Sequence, residues 1–180
     1  MKAHAGFTSS SREVGILIKK TLPFVIQEIY ADVQGRYMAV TGTWEGSVLN
    51  IISVYAPPRL HDQLFLDLGS LLLQLPDGML LLGGDFNNVM DEIQDRWLMR
   101  GLAKTVSPLT EFTRALGLMD VWRLHNRNVL QYFYHSGAHG SLSRLDCLLT
   151  LTNCAPSFKD ACLLARGISD HSPVWVVFGH

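Results

Sequence analysis

Met79-Leu80-Leu81-Leu82-Gly83-Gly84-Asp85-Phe86-Asn87-Asn88 is the stretch on which the reading of this chain turns. Residues 79–82 are an unbroken apolar run, the pattern of a strand buried on both faces, and the two glycines end it. A strand that stops this way brings a carboxylate, Asp85, and a carboxamide, Asn87, to the edge of a sheet. An anionic substrate and an activated water could be held there. Taken alone, the string fits a plain turn equally well, with Asp85 and Asn87 satisfying neighbouring backbone amides. It is not a phosphate-cradling P-loop, because no Gly-Lys-Ser/Thr follows at the required spacing.

Upstream of this stretch the pattern is that of strands and one helix. Residues 14–18 are β-branched and apolar up to Lys19-Lys20, and residues 24–33 alternate apolar with polar, so both predict strands. Residues 37–44 and 48–55 read as two further strands joined by Glu45-Gly46-Ser47, a hairpin signal, and Pro57-Pro58 stops any pairing. Residues 60–75 carry Leu64, Leu68, Leu71, Leu72 and Leu75 at helical spacing, and Pro76-Asp77-Gly78 makes the turn into residue 79. Downstream, Ser107-Pro108 predicts a capped helix running to about Leu116, with Gly117 as its stop. Residues 132–134, 145–149 and 174–178 predict the remaining strands. Strand pairs mixed with helices imply two sheets covered by helices in one domain spanning 1–180.

Composition sets bounds without naming a chemistry. A chain of 180 residues that is 48% hydrophobic and 17% charged builds a sizeable core and is not a disordered tail. Its net charge of −1 gives no broad basic footprint for nucleic acid. Cys147, Cys154 and Cys162 are odd in number with no CxxC spacing, which argues for reduced thiols rather than a disulfide framework or a zinc cluster. The opening residues lack the apolar core of a signal peptide, and the most apolar stretch, 64–82, is interrupted by Asp67, Pro76, Asp77 and Gly78. The expectation is a soluble intracellular protein.

Two more strings place polar groups where strands meet loops. Ser143-Arg144-Leu145-Asp146 follows a glycine-containing loop, and by itself it reads as a solvated Arg/Asp pair at a strand start. Ser169-Asp170-His171-Ser172 precedes the last strand, and a His flanked by Asp suits a general acid or base, or a clamp on phosphate. Read singly, it is a polar loop. Sandwich folds gather such strand ends at one rim, so the three strings together suggest one site.

The order Tyr55-Ala56-Pro57, Gly84-Asp85-Phe86-Asn87, Asp95-Arg96, Ser143-Arg144-Leu145-Asp146 and Ser169-Asp170-His171-Ser172-Pro173 resembles the endonuclease/exonuclease/phosphatase superfamily. The Asp95-Arg96 and Ser143-Arg144 pairs look most like its LINE retrotransposon branch. The resemblance spans the chain from about Phe7 to Phe178. It implies a four-layered α/β sandwich, two mixed β-sheets flanked by helices. It also implies metal-dependent phosphodiester hydrolysis by a DNA-nicking endonuclease, with Mg²⁺ or Mn²⁺ as cofactor, DNA as partner, a nuclear place of action and a fused reverse transcriptase in the parent element. Carried onto this chain, Tyr55 would hydrogen-bond the scissile phosphate, Asp85 would orient or deprotonate the attacking water or handle the leaving-group proton, and Asn87 would help place water and phosphate. His171 would face the phosphate as imidazolium with Asp146 orienting its ring, Asp170 would sit at the metal, and Ser169 would support the loop against the substrate.

Two departures accompany the resemblance. The family's opening strand-helix-strand segment, with its Asn and its Gln-Glu metal carboxylate, has no counterpart before Val14. Gln27-Glu28 lies on a strand matching a later part of the family, so the expectation is a partial domain with weak metal binding and little catalysis. The second departure is Phe133, where LINE members carry Thr, and a bulky ring there is expected to crowd the rim of the site. A non-catalytic retroelement relic or binding module, and a phosphatase or lipid phosphodiesterase of the same superfamily, remain alternatives.

Overall fold

A computed structural model describes residues 2–6, 13–58, 61–97, 106–136, 141–165 and 167–179. The chain forms two units, Met1–Gly84 and Asp85–His180. Alternation accounts for most of the first. An antiparallel pair, β1 (Lys2–Gly6) and β2 (Glu13–Leu17), precedes the meander β3 (Phe24–Ala31), β4 (Tyr37–Trp44) and β5 (Ser47–Tyr55), beside which β6 (Met79–Asp85) is the next neighbour. The β4–β5 turn is tighter than the sequence suggests. Trp44 pairs with Ser47, and the two loop residues, Glu45 and Gly46, both adopt positive φ, the geometry that matches the right-handed twist of a hairpin.

Val14 and Ile16 bury against Met38 and Val40, with Phe24, Ile26, Ile51 and Tyr55 around them. One helix, α1 (His61–Leu72), turns Leu64, Leu68 and Leu71 inward, and Leu75 lies beyond its end. Leu60, the expected first helical residue, lies outside the described residues. Arg36, almost wholly buried, anchors α1. Its Nε donates to Asp32 Oδ2 at 2.8 Å and its Nη2 to Asp67 Oδ2 at 2.7 Å. Glu28 of the Gln-Glu pair is exposed beside a β-bulge and accepts the Tyr30 hydroxyl at 2.6 Å.

In the second unit, β7 (Arg96–Trp97), β10 (Ser141–Ser143) and β9 (Tyr134–Ser136) form a ribbon in that order. β8 (Leu118–Asp120) pairs with β11 (Asp146–Leu151), and β12 (Phe158–Leu163) with β13 (Val174–Phe178). The cap on α2 (Pro108–Ala115) is Ser107, whose Oγ accepts the Thr110 N–H at 3.1 Å, and Gly117 follows at φ 62°. A short helix, α3 (Val121–His125), is capped by Asp120, and a 3₁₀ turn occupies Thr152–Ser157.

Several expectations are corrected. β6 runs on through Gly83 and Gly84 to Asp85, so the carboxylate sits on the strand end itself. The strand expected at 132–134 begins at Tyr134, and the one at 145–149 runs from Asp146 to Leu151. Lys2–Gly6 and Phe158–Leu163 were not legible as strands, because their short alternation carries Lys, His and Asp among small residues and draws its stability from a partner strand. Among the described residues no helix is long and apolar enough to cross a membrane, and none of the three cysteines is in a disulfide.

Candidate active site

Gly84 explains how β6 can deliver Asp85. It sits at φ 149°, and a Cβ there would fall on the carbonyl of Val54, so only glycine lets the two backbones approach. Beyond it the chain makes an Asx turn. Asp85 Oδ1 accepts the backbone N–H of Asn87 at 2.8 Å, and Asn87 Nδ2 donates to Asp85 Oδ2 at 3.1 Å. Asn87 itself takes φ 45°, a left-handed conformation that asparagine tolerates better than most side chains. The turn does not exclude the functional reading, since a carboxylate oxygen can accept more than one hydrogen bond.

Across from this turn, Asp146 opens β11 and places Oδ2 at 2.6 Å from His171 Nδ1. With the Nδ1 proton directed at the carboxylate, Nε2 is left as the outward nitrogen. The His171 N–H donates to Ser169 Oγ at 3.1 Å, and Ser169 and Asp170 are both exposed. Three backbone bonds zip the strings together. Phe86 N–H donates to the Leu145 carbonyl at 3.0 Å, Phe133 N–H to that of Ser143 at 3.0 Å, and Ser172 N–H to that of Phe133 at 2.9 Å.

The charges converge as well. Burial raises the Asp85 carboxyl above its ordinary range, and the charges of Asp146 and Asp170 push the same way while His171 opposes them. Burial raises Asp146 too, against the pull of His171. For His171, burial alone would lower the ring, but the hydrogen bond and charge of Asp146 outweigh it and the net direction is upward, toward imidazolium. Asp85, Asn87, Asp146, Asp170 and His171 thus gather in the second unit, with Ser169 in the supporting turn. Tyr55 belongs to the first unit, where it ends β5, its N–H donating to the Arg36 carbonyl at 2.8 Å.

Two sequence expectations change here. Phe133 is 2% exposed, its ring edge-on to Trp122 at 5.3 Å, so it points into the core and does not crowd the rim. Alternation hands the rim to Tyr134, whose backbone bridges to His171 and whose ring lies 4.9 Å from the imidazole. Nor is Arg144 solvated. It is 1% exposed, donating through Nε and Nη2 to the two oxygens of Asp95 at 2.9 Å each and through Nη1 to Asp120, while Arg123 also donates to Asp95. No local pattern announces this network, because Asp95 and Arg144 lie 49 positions apart; which of the charges pair is a tertiary fact.

In fold the chain is similar to an endonuclease/exonuclease/phosphatase family protein from Leptotrichia buccalis, over 100% of this chain and 70% of that one, with a TM-score of 0.67 and 17% identity. The endonuclease domain of TRAS1, a telomere-specific non-LTR retrotransposon, is similar over 99% of this chain and 78% of its own, with a TM-score of 0.68 and 14% identity. A 3′ phosphatase from Neisseria, bound to a product DNA hairpin, matches 87% of this chain and 72% of its own at TM-score 0.63 and 21% identity. TDP2 from D. rerio, complexed with a single-strand DNA product, matches 99% and 77% at TM-score 0.68 and 14% identity. In sequence, the chain is 26% identical over 147 residues to an uncharacterised 149 kDa protein of the transposon TX1 from Xenopus laevis. That match takes in 79% of this chain, which spans only 11% of the transposon protein's length. No family model matches the chain.

Proposed function

We propose that this site hydrolyses phosphodiester bonds in DNA, as the endonuclease of a LINE-type retroelement acting on nuclear DNA. The observation that supports it best is the Asp146–His171 pair at 2.6 Å, held beside the Asp85–Asn87 turn by the three backbone bonds. His171, biased toward the charged form, would donate from Nε2 to a non-bridging oxygen as charge builds there. Asp146 keeps the ring in that tautomer, the role a carboxylate plays for a catalytic histidine. Asp85, made more basic by burial, would take a proton from the attacking water as the P–O bond to the leaving oxygen breaks. Asn87 and Tyr55 would orient water and phosphate, and Ser169 would brace the loop.

A hard divalent cation wants about six oxygen ligands. Among the described residues no group of three or more His, Cys, Asp or Glu side chains could hold a metal ion, so the donor set does not fit a resident Mg²⁺. Asp170 alone would make a poor site for a divalent cation. On this reading the chain's own nicking is feeble, which is also what a relic or binding module would show. Plasmid nicking separates the two. The chain alone should convert almost no supercoiled plasmid in Mg²⁺ or Mn²⁺, whereas a fusion supplying a related element's opening segment should nick it, and His171→Ala or Asp85→Ala should abolish that activity. A folded fusion that does not nick would favour the relic.

A further inference from the structure

Two features of the second unit have no part in the chemistry above. One is the buried trio of Asp95, Asp120 and Arg144, with the half-buried Arg123 beside it; the other is the aromatic cage around Arg144. The guanidinium of Arg144 lies 5.4 Å from the Trp122 ring and 5.7 Å from the Phe133 ring, within cation–π range of both. Burying an ion pair contributes little net stability and often less than an apolar replacement would, so stability alone does not account for it. Specifying one arrangement of the backbone does.

The backbone around Arg144 shows what is being specified. Its own N–H donates to the Asp95 carbonyl at 2.8 Å, so main chain and side chain grip the same residue. The carbonyls on either side of it, Ser143 and Leu145, accept from Phe133 and Phe86. Through Phe86 the Asp85–Asn87 turn is held, and through Phe133 and then Ser172 the His171 loop is held. Asp146 follows two residues after Arg144. Every string of the second-unit site therefore hangs from the segment 143–146.

We propose that Arg144 is a positioning residue, its guanidinium forked onto Asp95 and tied to Asp120 so that the segment 143–146 holds Asp85 and His171 in one register. The inference rests on the phosphodiesterase reading for its purpose, but its test does not require catalysis. A lysine cannot reproduce the fork. It offers a point charge with no fixed planar donors, so Arg144→Lys should keep charge and volume while releasing the register.

The experiment is amide hydrogen exchange by NMR on the whole 180-residue chain, wild type against Arg144→Lys and Arg144→Gln. Phe86, Phe133 and Ser172 should exchange at least about tenfold faster in both variants, while Val40 and Ile52, in the first unit, change less than about threefold. The hydrogen-bonded Nδ1 proton of His171, expected far downfield in the wild type because of its short bond to Asp146, should move upfield or vanish. Unchanged exchange at the three amides in a folded Arg144→Lys would overturn the proposal. So would equal acceleration everywhere, because it would mean that Arg144 supplies only global stability. Failure of the nicking assay alone would count against the phosphodiesterase reading and leave these signals as they are.

Discussion

Replacing Phe133 by threonine, the residue type at this place in the LINE pattern, separates a core role from a rim role for the ring. The aromatic ring is 2% exposed, sits edge-to-face on Trp122 and borders the Arg144 guanidinium. Truncating a buried phenylalanine to alanine costs about 3–5 kcal/mol. Threonine restores a methyl, about 0.8 kcal/mol, but buries a hydroxyl that costs about 1–3 kcal/mol if it finds no partner. The net loss is about 3–7 kcal/mol. At about 2–4 °C per kcal/mol for a chain of this size, the melting temperature should fall by about 6–28 °C. Urea titration gives the same quantity from the midpoint, at an unchanged slope. A loss below about 1 kcal/mol would refute the reasoning, since a ring that can be removed so cheaply cannot be part of the core. If nicking rose at the same time, the ring would belong at the rim after all.

Gly84→Ala should destabilise by about 2–6 kcal/mol, because overpacking against Val54 and strain at φ 149° each cost about 1–3 kcal/mol; a near-neutral melt would mean the β5–β6 approach is looser than described. Asp95 is a depressed carboxylate: burial raises it, and the Arg144 hydrogen bonds more than compensate. Its contribution to stability is therefore present above the unfolded value of about 3.9 and is lost as pH falls through the lower folded one. Asp95→Asn should flatten the acid limb of the stability curve below about pH 4, and an unchanged limb would exclude Asp95 as its source. Because the donor set does not fit a resident cation, raising Mg²⁺ from zero to about 1 mM should leave the melting temperature within about 1 °C; a larger rise would indicate a site with a dissociation constant well below that concentration.

Legibility divides along physical lines. The hairpin at Glu45-Gly46, the cap at Ser107-Pro108 and the inward stripe Leu64, Leu68 and Leu71 depend on interactions within a few residues, so local pattern was enough to read them. The motif order carried the fold class, and it brought forward Asp85, Asn87, Asp146, Asp170 and His171 as candidates, because a buried strand ending in polar residues is a local signature. What neighbours these residues across tens of positions was not legible. Arg144 read as solvated because a charge beside a strand usually is, and only the packing of Trp122 and Phe133 around it, with Asp95 some fifty residues upstream (|i−j| = 49), makes burial tolerable. Phe133 and Tyr134 are neighbours where the chain enters β9, and one position decides the face, so whether the core or the imidazole receives a ring depends on a register set by Ser143 and His171. Sequence alone determined which groups were available and roughly where strands would end; tertiary structure decided which of them face each other, because pairing register and burial are properties of distant segments brought into contact.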